Sequence, residues 1–272
     1  MWNLISKRRG WTANLPSLSD AQISECTRAP HLRPIGRCGT TASVCYHSAV
    51  RHSTGSGRFI TFEGLDGSGK STHLERLAEE LRHDGLEVVT TREPGGTEIG
   101  ERIRGVLLDS HTHGLTPLAE LALMFASRAQ HIAEVILPAI NRGAWVLCDR
   151  YTDSSEAYQG AGRQLGAEAV LTLHRVICLG LQPDLTILLE NDVAASIARA
   201  RRRNKNSTGE DEGRFEQENR AFFERVHQQF MAIAHREPVR VAVIDARRPM
   251  EEVHQHVLSV VRERLIPARS NP

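Results

Sequence analysis

Eight residues constrain this chain more than anything else in it. Gly64-Leu65-Asp66-Gly67-Ser68-Gly69-Lys70-Ser71 fits the pattern G-x-x-x-x-G-K-[ST]. The string carries weight because of its setting. It follows a short apolar strand, Phe59–Phe62, and opens a helical pattern over Thr72–Arg82 with Leu74, Leu77, Ala78 and Leu81 on one face. In a strand–loop–helix turn the glycines let backbone N–H groups point inward, and the helix N-terminus adds a partial positive charge at the same place. Gly64, Leu65, Asp66, Gly67, Ser68, Gly69, Lys70, Ser71 and Thr72 are therefore expected to cradle the phosphates of ATP. Lys70 should reach the β- and γ-phosphates and Ser71 should ligate Mg²⁺. The bland alternative is a tight turn that binds nothing.

The remaining pattern supplies the scaffold that such a loop needs. Asp84-Gly85 ends the first helix and Leu86–Thr90 reads as a second strand. Glu98–Leu108 is helical. Thr116-Pro117 opens a helix running to about Arg128, and His131–Asn141 is a further helix closed by Gly143. Trp145–Cys148 is a buried strand ending in Asp149, followed by a helix at Ala167–Leu181 and a strand at Leu185–Leu189. Val193–Arg203 and Phe215–His235 are helices, Val239–Ile244 is the last strand and Met250–Arg264 the last helix. Strands alternating with helices predict an α/β fold of the P-loop NTPase type, a doubly wound parallel sheet flanked by helices.

Composition excludes several uses of that fold. Lys+Arg of 34 against Asp+Glu of 33 leaves no basic footprint for nucleic acid, although small anions need only local charge. The five cysteines (Cys26, Cys38, Cys45, Cys148 and Cys178) are odd in number and form no C-x-x-C pair. A disulfide framework or zinc site is disfavoured, and a reducing, cytoplasmic setting with Cys148 and Cys178 in the core is expected. No apolar run approaches about 18 residues, so no membrane span is expected. Residues 1–57 are rich in Ser, Thr, Pro, Gly and Arg, with Asp20 and Glu25 their only acids, and read as a disordered extension. A transit peptide and a start codon placed too far upstream are the other readings. Lys7, Arg8 and Arg9 lack the apolar stretch that a secretory signal would need. The folded domain is expected over 58–266, with 267–272 a C-terminal tail.

A P-loop serves kinases, GTPases and motor ATPases alike. A guanine-reading N-K-x-D is missing: the one N-K is Asn204-Lys205-Asn206-Ser207, in a polar segment. Two arginines suggest an anionic acceptor instead. Thr91-Arg92-Glu93-Pro94-Gly95-Gly96 follows the second strand and Asp149-Arg150 the third. Side chains at the C-terminal ends of parallel strands face the ligand crevice, and two guanidinium groups there can clamp one phosphate. The competing reading is a pair of surface ion pairs, Arg92 with Glu93 and Arg150 with Asp149.

Taken in order, Phe59-Ile60-Thr61-Phe62-Glu63-Gly64, Thr91 to Gly96, Phe125-Ala126-Ser127-Arg128-Ala129-Gln130, Asp149-Arg150-Tyr151, Ala157-Tyr158-Gln159-Gly160, Gln182-Pro183-Asp184-Leu185-Thr186 and Arg214-Phe215-Glu216 resemble bacterial thymidylate kinases, from about residue 58 to 264. The resemblance implies phosphorylation of dTMP to dTDP with ATP and Mg²⁺, in dTTP synthesis. It implies a cytoplasmic homodimer, paired through helices such as Glu98–Leu108 and Pro117–Arg128, with nucleotides as its ligands and neither nucleic acid nor membrane as a partner. Arg92 and Arg150 would hold the dTMP phosphate. Asp66 would contact the deoxyribose 3′-hydroxyl or a magnesium-bound water. Arg128 would bond a thymine carbonyl, Ser155 would face the Watson–Crick edge, Phe125 would line the base pocket and Tyr158 would crowd the ribose 2′ position. Phe125 reads equally as a core aromatic, with Met124 in its place. Two alternatives stand beside this reading: a kinase for another nucleoside monophosphate, and a non-catalytic ATP-binding regulatory module.

Arg199, Arg201, Arg202 and Arg203 precede a Gly/Ser/Asn-rich stretch between two helices, the position of a mobile lid at about 199–216. Gly67 stands where one branch of the family carries an arginine, which resembles the bacterial type whose catalytic arginine comes from the lid. Arg201, Arg202 and Arg203 are the unranked candidates, beside Lys70, Arg92 and Arg150. The chain departs from the family pattern in a longer lid through Asn204–Glu212, in Gly213 where Asp is frequent, and in Ala161 where Gly is common. His111/His113 and His254/His256 are expected on solvated surface.

Overall fold

Five short runs rich in β-branched and apolar residues pair side by side: β1 (Phe59–Glu63), β2 (Val88–Arg92), β3 (Trp145–Asp149), β4 (Leu185–Glu190) and β5 (Val241–Asp245). All pairings are parallel and the order is β2-β3-β1-β4-β5. The computed structural model describes residues 57–206 and 213–266. The extension expected at 1–57, apart from Gly57, lies outside the described residues, as do the tail at 267–272 and the middle of the lid at 207–212. β1 is buried at every position because it is the middle strand. Two strands lie to either side of it; the connection out of β1 runs to one side and that out of β3 to the other, so a crevice opens at their carboxyl ends.

The pleat of β1 sorts its side chains to two faces. Ile60 and Phe62 join Leu74, Leu77, Ala78 and Leu81 of α1 (Lys70–His83) and Val253, Val257 and Val261 of α9 (Met250–Leu265). Phe59 joins Leu121 and Phe125 of α3 (Pro117–His131) and Val170 of α6 (Ala167–Ile177) on the other face. A third apolar cluster forms around α8 (Arg220–Arg236), where Phe222, Phe223, Val226 and Phe230 pack with Tyr158 and Leu188. The remaining helices are α2 (Glu98–Leu108), α4 (Leu137–Asn141), α5 (Thr152–Ser155) and α7 (Val193–Asn206).

Several boundaries differ from the sequence reading, each for a local reason. α1 starts at Lys70, with Gly69 at φ +100° as its N-cap. β2 runs two residues later, which makes Arg92 its last residue and the register partner of Asp149. α6 stops at Ile177 because Leu179 and Gly180 turn left-handed. α3 passes through Arg128 without a break and continues by a π turn, Ile132–Ile136, into α4, whose Pro138 has no N–H to donate. The expected helix over Phe215–His235 is two elements. A 3₁₀ turn at Phe215–Gln217 ends before Asn219, whose Oδ1 accepts from the Phe222 N–H at 2.9 Å to cap α8. β5 starts at Val241 because Glu237–Arg240 forms a turn, closed by the Val241 N–H on the Glu237 carbonyl at 2.9 Å. The stretch Thr152–Gly162, which the sequence reading left unassigned, is α5 followed by a π turn at Glu156–Gly162. Cys148 and Cys178 are buried free thiols, as expected.

His254 is not on the surface. It is 2% exposed and lies against His73, also buried, with ring centres 6.4 Å apart. His111, His113 and His256 are exposed. The His73–His254 contact joins α1 to α9 beside the Arg76–Glu251 ion pair at 2.5 Å. Burial, the facing His254 and Arg76 push His73 down to about 4, and burial and Arg76 lower His254 as well. A folded-state pKa below the ordinary 6.5 favours the neutral ring. The stability it contributes is present above the unfolded value and is lost as pH falls through the folded one. Urea unfolding should therefore reveal a weaker fold at pH 5 than at pH 7, with a smaller pH-dependent loss in His254→Phe. An unchanged pH dependence in the variant would count against this origin.

Candidate active site

The P-loop owes its shape to close packing on α7. Gly67 sits at φ +79°, and a Cβ there would lie 2.6 Å from the Ser196 carbonyl oxygen. Any side chain at this position would collide with α7 backbone, so an arginine cannot project from the loop here. Lys70, the first residue of α1, is buried and donates from Nζ to the carbonyls of Gly64 at 3.1 Å and Leu65 at 2.8 Å. Burial and the Arg150 charge lower its pKa to about 8, against the opposing pull of Asp66, Asp149 and Glu63. Ser71 donates from Oγ to Asp149 Oδ2 at 2.6 Å. Asp149 Oδ1 is buried with no hydrogen-bond partner among the described residues. A hydroxyl and a carboxylate held this close form a hard-oxygen pair of the kind Mg²⁺ accepts.

Arg150 follows β3 in a left-handed conformation, φ +72°. A residue with a Cβ held there stores about 1–3 kcal/mol. Its Nη1 donates to the Gly64 carbonyl at 3.1 Å and Ser154 Oγ at 2.9 Å, and its Nη2 to Asp66 Oδ1 at 2.7 Å. The Tyr158 hydroxyl donates to Asp66 Oδ2 at 3.0 Å. Burial alone would raise the Asp66 pKa, but Arg150 and Lys70 hold it well below the usual carboxylate range. Both Asp66 oxygens are thus engaged on the side of Arg150 and Tyr158. Asp66, expected beside Ser71 at a metal, is held by Arg150 and Tyr158, and the carboxylate that meets Ser71 is Asp149. The alternative of a surface pair between Arg150 and Asp149 is not formed: Asp149 meets Ser71, and Arg150 meets Asp66.

Beneath this turn, Glu63 at the end of β1 is fully buried. It accepts from the Tyr151 N–H at 2.7 Å, the Ser154 N–H at 3.3 Å and the Ser154 hydroxyl at 2.5 Å. Burial and the nearby Asp153 charge push its pKa up to about 8.

Arg128 lies 2% exposed on the inner face of α3. Its Nε donates to Glu93 Oε2 at 2.6 Å and its Nη2 to Ser155 Oγ at 3.0 Å, while Nη1 is buried without a partner among the described residues. Burial would raise Glu93, but Arg128 and His131 outweigh it and lower the acid. His131 Nδ1 lies 2.9 Å from Glu93 Oε1, and Nε2 lies 2.6 Å from the Thr91 hydroxyl. Glu93, His131 and Cys148 bring ligand-type atoms within 4.8 Å of one another, but hydrogen bonds engage all three and the Arg128 charge adjoins them. Phe125 is not a cleft residue. It is fully buried, with the Arg128 guanidinium carbon 4.7 Å from its ring centre, and Met124 lines the cleft in its place.

These groups open on one cleft of about 930 Å³. It is lined by Asp66, Lys70 and Ser71, by Arg92, Arg128 and Ser155, and by Arg150 and Tyr158. Gly67, Gly69 and Thr72 complete the P-loop surface, whereas Gly64, Leu65 and Ser68 sit behind it. Arg92 is half-exposed and pairs with Glu101 at 3.0 Å, not with Glu93. From α7, Arg199, Arg202 and Arg203 reach the cleft. Arg201 turns away, donating to the carbonyls of Glu216 at 3.1 Å and Glu218 at 3.3 Å.

A family model described as thymidylate kinase matches residues 62–257. The chain is 50% identical over 197 residues to a thymidylate kinase of Alkalilimnicola ehrlichii, covering 72% of this chain and 88% of that protein. With a thymidylate kinase of Pelobacter propionicus it shares 45% over 205 residues, 75% of this chain and 94% of that one. A crystal structure of thymidylate kinase from Ehrlichia chaffeensis superposes with a TM-score of 0.60 at 33% identity, covering 75% of this chain and 98% of the other. The chain belongs to the thymidylate kinase family.

Of the departures from the thymidylate kinase pattern, Ala161 is accommodated. It lies in the π turn outside the left-handed region, and its carbonyl accepts from Arg225 Nε at 3.3 Å. Next to Gly213, Arg214 donates to the Leu107 carbonyl and to Glu120 Oε2 at 2.8 Å, which ties this end of the lid to α2 and α3. Sequence reasoning missed Asp149 as a partner of Ser71 and gave Glu63 no role. The signal for Asp149 was its position at a strand end next to the P-loop strand. The buried Arg128–Glu93 pair yields a stability test. Arg128→Leu should destabilise the fold by about 3–5 kcal/mol by stranding a buried charge. Denaturant unfolding of Arg128→Leu and of the double variant with Glu93→Leu checks this, the double variant losing less than the single.

Proposed function

We propose that this chain transfers the terminal phosphoryl group of ATP to dTMP, giving ADP and dTDP for dTTP synthesis. The observation that carries the reading is one cleft in which a P-loop faces a buried Arg128–Ser155 pair, with Arg150 between them. An oxygen of the acceptor phosphate attacks the γ-phosphorus in line, the bond from that phosphorus to the β,γ-bridging oxygen breaks, and ADP leaves. The protein aligns the two nucleotides, neutralises charge and excludes water. Lys70 and the P-loop N–H groups hold the donor phosphates. Arg92 and Arg150 hold the acceptor phosphate, with Arg92 exchanging Glu101 for it. Arg128 offers its unpartnered Nη1 to a base carbonyl, beside Ser155. Asp66 and Tyr158 face the sugar.

Ser71 and Asp149 would hold Mg²⁺, which when bound neutralises charge on the phosphate oxygens. Arg202 and Arg203, on a lid at about 199–216, meet the transferring group. Homodimerisation through α2 and α3 belongs to this reading and is supported by Ile99, Val106 and Leu118, exposed apolar residues on those helices. A cytoplasmic location is supported by the two buried free thiols and agrees with the lack of a helix long and apolar enough to cross a membrane among the described residues.

Coupled ADP release from ATP and Mg²⁺ should strongly prefer dTMP over dUMP, dCMP, AMP and GMP. Preference for another monophosphate would discard the roles of Arg128, Ser155 and Tyr158 and keep the fold. ATP binding without transfer would favour the regulatory module. Lys70→Ala and Arg92→Ala should each lower kcat/KM by at least about 10². Arg202→Ala with Arg203→Ala should lower kcat by a similar factor of about 10², and Arg201→Ala by less than about tenfold. Equal losses for all three lid arginines would remove the ranking.

A further inference from the structure

We propose that Glu63 is a positioning residue for the acceptor phosphate, its buried carboxyl group holding the left-handed turn that aims Arg150 into the cleft. The inference rests on the assignment of Arg150 to that phosphate. Glu63 itself does not line the cleft. It lies fully buried at the end of the central strand, with Leu188 as its register partner on β4. An apolar side chain would serve the sheet at this position equally well, whereas a buried carboxyl is costly unless it is bonded. What Glu63 supplies is three acceptor contacts, and all of them go to the two residues that fix the turn.

The turn needs such support. Arg150 carries a Cβ, and its φ of +72° persists only if the surroundings over-determine it. The flanking residues lack local means. Tyr151, the N-cap of α5, makes no side-chain capping bond. Glu63 Oε1 replaces that cap from another strand, accepting from the Tyr151 N–H at 2.7 Å and the Ser154 N–H at 3.3 Å. Glu63 Oε2 accepts from the Ser154 hydroxyl at 2.5 Å, and Ser154 Oγ in turn accepts from Arg150 Nη1 at 2.9 Å. One path from Glu63 thus fixes the Arg150 backbone and another fixes its guanidinium. Oε1 remains an acceptor whether the acid is charged or neutral, and a glutamine keeps the Oε1 contacts while its Nε2 donates to Ser154 Oγ in place of accepting from it. Glu63→Gln is therefore the conservative variant, and Glu63→Met removes all three contacts with little change in volume.

Five variants of the full chain test this: Glu63→Gln, Glu63→Met, Ser154→Ala, Arg150→Met and the double Glu63→Met/Arg150→Met. Each is assayed with dTMP varied at saturating ATP, and with ATP varied at saturating dTMP. Glu63→Met and Ser154→Ala should raise the KM for dTMP by about tenfold and leave the KM for ATP within about twofold. Glu63→Gln should stay within about threefold of the parent, and the double variant within about twofold of Arg150→Met alone, since both changes act on one group. Should Glu63→Met fail to fold, Ser154→Ala and Glu63→Gln carry the same test. Parental dTMP kinetics in Ser154→Ala and Glu63→Met, with Arg150→Met impaired, would overturn the role of Glu63. Additive losses in the double variant, or equal losses toward ATP and dTMP, would reduce Glu63 to a structural residue and overturn it too. A parental KM for dTMP in Arg150→Met would instead remove the assignment of Arg150 on which the inference stands.

Discussion

Buried acids hold one side of the cleft together. The segment from Arg150 to Gly162 has almost no solvent exposure, yet few of its residues are apolar. Four acids from it or around it supply the contacts. Glu63 takes the start of α5. Asp153 pairs with Arg240 at 2.7 and 3.0 Å. Glu156 receives both Nη atoms of Arg236, at 2.7 and 2.9 Å, and Gln229 at 2.8 Å. Glu120 on α3 receives Gln159 at 2.9 Å, Arg163 at 3.2 Å and Arg214 at 2.8 Å. Buried ion pairs add little net stability, because desolvation offsets most of the attraction. Their value here is geometric. An apolar contact tolerates sliding, whereas a bidentate pair admits one arrangement, and this segment carries Arg150, Ser155 and Tyr158.

The same clamps connect the halves of the cleft. Asp66 in the P-loop meets Arg150 and Tyr158 from the acceptor segment. Tyr158 in turn packs edge-on to Phe215 at 5.6 Å, and Arg214 beside it reaches Glu120. At its other end the lid begins on α7, whose backbone presses on Gly67. The α7 end thus rests on the phosphate loop, and the Arg214–Phe215 end on Tyr158 and Glu120.

What the sequence made legible follows from periodicity and from backbone-driven motifs. The P-loop, the alternation of strands and helices that makes a parallel α/β sheet, and the strand-end arginines all rest on patterns that survive without knowledge of packing. Thr152–Gly162 did not, because its contacts are polar and come from Glu63, Arg236 and Arg240, far away in the chain. His254 was misjudged for the related reason that its partner, His73, lies on a helix 181 positions earlier in numbering (254 − 73). Phe125 and Met124 are neighbours on a helix, and only the rotation of α3 against the sheet decides which faces the core. Asp149 and Arg150 are likewise neighbours with opposite fates. The left-handed turn at Arg150 sends its side chain to Asp66 and leaves Asp149 to Ser71, and nothing in the local sequence announces that turn.

The cleft arginines differ in the exposure of their partners, and that difference fits their tasks. Arg92 and Glu101 are about half-exposed, at 53% and 42%, and a pair of this kind is worth about 0–1 kcal/mol. Exchanging Glu101 for another anion would cost little. Arg128 and Glu93 are 2% and 3% exposed, and separating them would leave a charge in the core. Such a pair does not exchange; it presents the rest of the guanidinium in a fixed place. A buried donor that goes unpaired with the wrong ligand discriminates far better than an apolar wall does. Arg150 lies between, at 16% against 25% for Asp66, with its backbone rather than its ion pair under the tightest control. Partner burial thus grades from exchangeable at Arg92 to permanent at Arg128 within one cleft.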